Sequence, residues 1–545
     1  MMPASAEQVF WERILFVRIR AKCKMGAQPA CAGLFARAED RRIEGKMTSK
    51  RTLIRGGQVY DHEGDVHKPA VADILIEDDK ILSIGANLTA DVVHEVIDAS
   101  GRLVVPGLIN AHYHSHDVLC RGLFEELPLE IWLLYTLPMG GNRSKDEVRV
   151  RTLVGALESL RCGITTVQDM LGLSPLNDEQ TDVVVAAYRE AGIRVVFSPM
   201  VWDIPPIAMV RHKDSLPPAV QEMLGNKPRP IRDQLDYLEH QFKRHPPSGT
   251  LHWAISPFAP QRCTPKMLQG CAELADEYDL AVYTHVYETR GQVLIARELF
   301  ADHDGSLISY MDNVGLLGPR LNIVHSVWIS RREIDRIAAA DAGIVLNHLS
   351  NFKLKSGIAP IYDMRQAGVR LGLGCDNCSG SDVQSVFQAM KMFCLIAAVS
   401  EPEPGPGLAH EVLRHATIGN ARTAGLADRL GAIRPGYKAD LILIDLNDVA
   451  YLPYNSAARQ LVYTESGRGV ETVMVDGRIV VKDRVVKSID EDALRREVVS
   501  LMRHFIADYD SLVKSRRVAL SHMLDAHRRM WEPNIGMDRF IGRAR

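Results

Sequence analysis

A (β/α)8 TIM barrel carrying a small β-sandwich, built from both ends of the chain, is the fold this α/β sequence predicts. Three observations predict it. Eight apolar segments alternate with helix-patterned stretches between residues 103 and 376. On either side, at residues 52–84 and 439–481, the texture changes to short β-rich runs separated by turn residues. Several of the eight segments end in His, Glu or Asp, and parallel barrels gather such residues at the C-terminal ends of their strands.

In chain order, residues 1–50 read as an extension foreign to the rest of the chain. Residues 9–24 mix Val, Phe, Trp, Ile and Leu with Arg, Lys and Glu, so charges interrupt the apolar core that a secretory signal needs. The expectation is a true start at Met47, with the preceding stretch disordered or a mis-assigned start. A short targeting or docking segment is the alternative. Residues 51–105 supply the first part of the sandwich, through β-rich runs at 52–60 and 73–84.

The barrel is expected over 106–430. Its strand segments are Leu103–His114, Ile164–Met170, Arg194–Val201, His252–Pro260, Ala281–Glu288, Leu321–Ile329, Ile344–Ser350 and Arg370–Asp376. Ser144-Lys-Asp-Glu147 and Ser330-Arg-Arg-Glu333 are capping boxes that open helices. Thr264-Pro265 pairs an N-cap with proline at the first helical position. The span from His112 to Asp376 is close to the ~250 residues such a barrel takes. Glu401–Gly407, rich in proline and glycine, reads as a loop. Residues 431–485 complete the sandwich, and 486–545 form a helical tail. Its helix at 491–528 carries Arg and Lys on several faces and either wraps the barrel or joins a subunit interface. A homodimer or higher homo-oligomer is expected.

Composition narrows the partners. The 545 residues are 46% hydrophobic and 24% charged, with 65 Lys and Arg against 68 Asp and Glu. That balance gives no electrostatic reason to expect nucleic acid or a membrane surface. No apolar run approaches the ~20 residues of a membrane-spanning helix. Nine scattered cysteines, an odd number, suggest no secreted disulfide framework and favour a reduced, cytoplasmic setting. Cys375 and Cys378 form a CxxC pair without a second pair nearby, incidental to the loop they occupy.

The chemistry begins at His112 and His114. Residues i and i+2 of a strand face the same side, so both imidazoles can point into the barrel mouth and share one ion. His116 extends the alternation as a loop histidine. His285 can complete a three-histidine set, with Asp376 as fourth ligand, which suits Zn2+ or Fe2+. Glu288, three residues after His285, fits a proton carrier. His325 can hold a developing oxyanion or orient a water.

Longer stretches carry a resemblance. They are Val105-Pro-Gly-Leu-Ile-Asn-Ala-His-Tyr-His114, Thr284-His-Val-Tyr-Glu-Thr289, Val324-His325, Gly372-Leu-Gly-Cys-Asp-Asn377 and Gly436-Tyr-Lys-Ala-Asp-Leu-Ile-Leu-Ile444, together with residues 347–360. Over 51–485 the chain resembles the amidohydrolase superfamily, within it the cytosine deaminase-like group that contains triazine hydrolases. The resemblance implies that His112, His114, His285 and Asp376 bind a metal. It implies Glu288 as acid–base and His325 as the catalytic histidine, with Asp376 also helping to activate water. There are departures. Tyr113 and Cys375 stand where many relatives have Thr, and His116 is an uncommon addition. Dinuclear members carry a bridging lysine on the fourth strand, whereas His252–Pro260 contains none. One divalent ion is therefore expected, Zn2+ first and Fe2+ as the alternative.

The expected activity is that of an aminohydrolase, a hydrolase of C–N bonds other than peptide bonds. It would release ammonia or an amine from an amino-substituted pyrimidine, purine, pterin or triazine. An amide or cyclic-amide hydrolase, or a dechlorinating hydrolase, would use the same site, and a non-catalytic assembly protein is the remaining alternative. A nucleic-acid deaminase is disfavoured because no His-x-Glu occurs in the chain. Arg121, Trp132, Trp202, Phe258, Gln261 and Trp328 follow strand ends and are the candidate substrate contacts.

Overall fold

Each of the eight predicted apolar segments contains a strand, and the eight strands run parallel in a ring. The structure, a computed structural model, describes residues 49–541 apart from 212, 402, 404 and 406. The expectation for the N-terminal extension lies outside the described residues except at 49 and 50, as does part of the loop at 401–407. From Arg51 onward the chain forms one unit.

The N-terminal part of the sheet domain contributes β1 (Arg51–Val59), β2 (Val71–Glu77), β3 (Lys80–Gly85), β4 (Glu95–Asp98) and β5 (Arg102–Pro106). The barrel comes next as β6 (Leu108–His114), β7 (Ile164–Leu171), β8 (Arg194–Val201), β9 (Leu251–Pro257), β10 (Ala281–Val286), β11 (Leu321–His325), β12 (Gly343–Leu346), β13 (Arg370–Leu373) and the short β14 (Asp376–Asn377). The chain then returns to the first sheet with β15 (Leu441–Asp445), β16 (Val470–Val475), β17 (Arg478–Lys482) and β18 (Val485–Val486). This mixed sheet has nine strands, and its two halves meet where β5 pairs antiparallel with β15.

Period-two patterning explains how the sheet sits on the barrel. Leu103, Val105, Ile442, Ile444, Val473 and Val475 join the core that fills the barrel wall. The residues between them, Val104, Leu441, Leu443 and Met474, pack into a separate core with Ile54, Ile74 and Ile81. Both faces are therefore buried. A second link is buried Arg194, at the start of β8. Its guanidinium lies 2.9 Å from Asp440 and 3.2 Å from Asp476, both of the sheet domain.

Two of the predicted boundaries shift for local reasons. Leu103–His114 is two strands, because the chain turns from sheet to barrel at Pro106-Gly107. Gly107 donates its N–H to the Asp440 carbonyl at 2.8 Å, and a Cβ there would lie 2.2 Å from the Thr165 hydroxyl. The eighth strand is broken between Leu373 and Asp376. Asn110 Oδ1 accepts from Cys375 N at 2.9 Å, and Asn420 bonds both Leu373 N and Leu373 O. These amides carry the ladder across the gap, and β14 then pairs with β6 to close the ring.

The predicted caps form at Ser144, Thr264 and Ser330. The tail is a 39-residue helix, Glu491–Arg529, laid over the barrel mouth. Phe505, Ala519 and Met523 share a core with Leu129 and Trp132 of helix Leu129–Gly140. Residues beyond it cross to the far side of the mouth, where Arg290 donates to the Met530 carbonyl at 2.7 Å. No described helix is long and apolar enough to cross a membrane.

Candidate metal centre and active site

His112 and His114 alternate along β6, and both rings point into the mouth. His285 is the penultimate residue of β10, and one nitrogen from each of the three histidines lies within 4.8 Å of the others. Asp376, opening β14, places Oδ1 3.4 Å from His112 Nε2 and 3.3 Å from His114 Nε2. The pairing of β14 with β6 sets Asp376 beside Tyr113, between the two histidines.

The outer nitrogens fix the inner ones. His285 Nδ1–H donates to the Phe258 carbonyl at 2.6 Å, and His114 Nδ1–H donates to the Met170 carbonyl. Each Nε2 is thereby left as a lone pair facing inward. His112 Nε2 and Asp376 Oδ1 are buried without a hydrogen-bond partner. Buried polar atoms left bare in this way call for a partner, and the donor set of three imidazoles and a carboxylate suits a divalent metal.

Electrostatics point the same way. Burial, aided by His114, lowers the His112 pKa to about 4, and burial takes His285 well below the ordinary histidine value. Neutral imidazole is the form that ligates metal. Burial opposes the charge on Asp376, but the imidazoles of His112 and His114 outweigh it and hold the carboxyl well below its ordinary range. His114 moves upward, because its bond to Asp376 outweighs burial.

Glu288 and His325 stand beside this cluster. His325 Nε2 is 3.6 Å from Glu288 and 3.9 Å from Asp376. Its Nδ1 is 2.9 Å from the amide oxygen of Asn351, so Nδ1 carries the proton and Nε2 faces the pocket. Burial, then the charges of Asp376 and Glu130, push Glu288 well above the carboxylate range. Burial and neighbouring charges thus push the two adjacent carboxyls, Glu288 and Asp376, in opposite directions, an arrangement suited to proton transfer. His325 and Asp376 have φ of +75° and +63°. Side chains with a Cβ rarely adopt that region, and such strain concentrates at functional sites.

The candidate substrate contacts divide. Trp132 lines the metal pocket and donates its indole N–H to Ser379 at 3.0 Å. Phe258 also lines it, and Trp202 lies on the wider cavity outside. The other three are corrected. Arg121 is ion-paired with Glu158 and reaches the Cys378 thiol, away from the pocket. Trp328 is buried under the tail, donates to the Ser356 carbonyl and packs on Trp531 and Phe540. Gln261 is buried in the turn after β9 and lines neither cavity.

Pocket residues without an obvious sequence signal are Leu133 and Leu137, one helical turn apart, and Met200 near the end of β8. Helix Leu129–Gly140 is apolar on nearly every side, which marks a helix buried all round. His116 also lines the pocket, with Nδ1 unpartnered. Burial pushes the thiols of Cys375 and Cys378 upward, closing the CxxC pair to thiolate chemistry.

The amidohydrolase family profile matches residues 103–480, more than half of the chain. The chain belongs to the amidohydrolase family. A 5'-deoxyadenosine deaminase of Methanothermobacter thermautotrophicus is 31% identical over 446 residues, covering 82% of this chain and 96% of the relative. A 5-methylthioadenosine/S-adenosylhomocysteine deaminase of Thermococcus kodakarensis is 33% identical over 430 residues, covering 78% and 93%. Among solved structures, the zinc complex of atrazine chlorohydrolase from Arthrobacter aurescens TC1 superimposes with a TM-score of 0.73. Its sequence identity is 25%, and the match covers 83% of this amidohydrolase and 99% of that chain. The His/Asp cluster of this amidohydrolase is accordingly a divalent-metal site.

Proposed function

We propose that this amidohydrolase is a zinc-dependent deaminase that replaces the amino group of a purine nucleoside of the adenosine type by oxygen, releasing ammonia. The observation that carries this reading is a single one. The buried carboxyl of Glu288 stands within one pocket of three inward-facing imidazoles, Asp376 and His325. The deaminase relatives, at 31% and 33% identity, support the choice of leaving group and ring.

His112, His114, His285 and Asp376 would hold the ion. The chemistry supplied by a divalent ion on these ligands is the lowering of a water's pKa to about 7, which makes it a nucleophile at neutral pH. In the net reaction a C–O bond forms at the amino-bearing ring carbon and its C–N bond breaks. Of the water's two protons, one ends on the ring nitrogen and one on the departing ammonia. Glu288, buried in the pocket, can carry both in turn. His325, its Nδ1–H fixed on Asn351, presents the Nε2 lone pair, which can accept a hydrogen bond from the attacking water and orient it. Trp132 and Phe258 give the flat ring an apolar seat.

The test is an ammonia-release assay on zinc-loaded protein with adenosine, 5'-deoxyadenosine and 5'-methylthioadenosine, followed by aminated pyrimidines, pterins and triazines. Release from the purine nucleosides is expected. Silence across the whole panel overturns the reading. The chlorohydrolase structure supports one further arm, a chlorotriazine with chloride release as its readout.

A further inference from the structure

The metal pocket is small, about 60 Å³, and opens into a second cavity of about 500 Å³. The two share His116, Leu133, Leu137, Met200 and Phe258 as a common wall. A ligand whose reacting atom sits at the metal must place the rest of itself in the outer cavity. Apart from His116 the passage is apolar, and the outer cavity holds Arg262, Arg516 and Lys227 against one carboxylate, Glu130. That carboxylate lies 3.4 Å from His527 of the long C-terminal helix.

Arg262 is 7% exposed. Its Nε donates to the Ile204 carbonyl at 2.6 Å, and its guanidinium stacks over Phe258 and Trp202, 5.3 and 5.9 Å from their centroids. No carboxylate lies within ion-pairing distance of it among the described residues, and burial lowers its pKa to about 10. Arg516, half-buried on the C-terminal helix, likewise has no ion pair among the described residues, and its Nε is unpartnered. Arginines elsewhere divide: Arg151 and Arg539 donate to backbone carbonyls and have no ion pair among the described residues, whereas two others are matched. Arg194 has Asp440 and Asp476, and Arg365 has Glu401 and Glu411. Desolvating a cation without a counter-charge is costly, so two such cations on one cavity mark a place for an anion.

We propose that Arg262 and Arg516 form a subsite for an anionic group, a carboxylate or a phosphate, at the far end of a substrate whose apolar linker crosses the Leu133–Met200 passage. Guanidinium recognises both anions through paired N–H donors. Arg516 lies beyond the family-matched residues 103–480, so the C-terminal helix adds a specificity element to the barrel. The inference rests on the deaminase reading only for the ring at the inner end.

Binding is therefore tested apart from turnover. Hexanoate, hexyl phosphate and the neutral hexanol are titrated by calorimetry into the zinc-loaded full chain and into Arg516→Gln and Arg262→Gln. Both anions should bind at least tenfold more tightly than hexanol, and Arg516→Gln should erase most of that preference. The stronger of the two anions identifies the group. Should Arg262→Gln fail to fold, Arg516→Gln decides alone, since its position is half-exposed. Equal binding of anions and hexanol overturns the subsite. So does an anion preference that survives Arg516→Gln, which would place the anion on the metal. Anion binding intact without ammonia release would overturn the deaminase reading and leave the subsite standing.

Discussion

Ser350 donates its hydroxyl proton to Asp376 Oδ2 at 2.6 Å, while Asp376 Oδ1 faces His112 and His114 with no donor of its own. One carboxylate is thus split into an oriented oxygen and a free one. Groups that orient a metal ligand are typically worth ten- to a hundredfold in metal affinity. Ser350→Ala should therefore weaken zinc binding by about that factor, and Asp376→Asn should abolish stoichiometric loading. Competition with a chromophoric chelator measures both. Unchanged affinity in Ser350→Ala would show that the hydroxyl serves packing alone.

Glu288 separates proton transfer from metal binding. It touches His325 at 3.6 Å and is not among the clustered ligand atoms. Glu288→Gln keeps the shape and removes the proton. The expected loss in kcat is roughly 10²–10⁴-fold, the usual range for a positioned acid–base group, with zinc content unchanged. Metal analysis beside turnover checks this. A variant that also lost its zinc would reassign Glu288 to ligation.

How much of this was legible in the sequence differs residue by residue. His112 and His114 were readable because period two on a strand fixes a shared face, and Asp376 because a carboxylate ended an apolar run. The break in the eighth strand was not readable. It depends on Asn110 and Asn420, far apart in sequence, whose amides take over the ladder. Trp328 and Gln261 came after strand ends as a pocket residue would, yet they face the tail and the turn after β9. Position after a strand places a residue at the mouth without saying which way its loop turns. The outer wall was hidden for a related reason. Nothing local to Arg516 or Met523 shows that a helix about 140 residues beyond Asp376 in the chain lies over the barrel mouth.

Arg194 tests how the two parts of the chain depend on each other. It is buried, and Asp440 and Asp476 bind it from the sheet domain. Removing one partner of a buried charge network leaves the others uncompensated, at a cost of about 3–5 kcal/mol. Arg194→Met should lower the thermal midpoint markedly. The zinc affinity of the remaining folded protein should hold, because these groups lie at the opposite end of the strands from the metal cluster. Differential scanning calorimetry reads the first quantity and chelator competition the second. A thermal midpoint that does not move would mean the sheet domain is held by its apolar face alone.

Glu411 gives a pH dependence with a defined sign. Burial favours its neutral form, but His415 and then Arg365 outweigh burial and bring its pKa down to about 2 from an ordinary 4.5. Arg365 Nε and Nη2 each lie 2.7 Å from the carboxylate, in a two-pronged pair joining helix Ile361–Gln366 to helix Leu408–Arg414. A depressed folded-state pKa means that the unfolded chain takes up the proton first. The stabilisation is therefore complete above about pH 4.5 and is lost as pH falls toward 2. The pair is part-exposed, so screening reduces the linkage to roughly 1–2 kcal/mol. Glu411→Gln should be less stable than the parent at pH 7 by about that amount, and the gap should narrow on acidification through this window. Urea melts at pH 7, 5 and 3.5 measure the gap. A gap that stayed constant with pH would assign the cost of the substitution to packing, not to the charge.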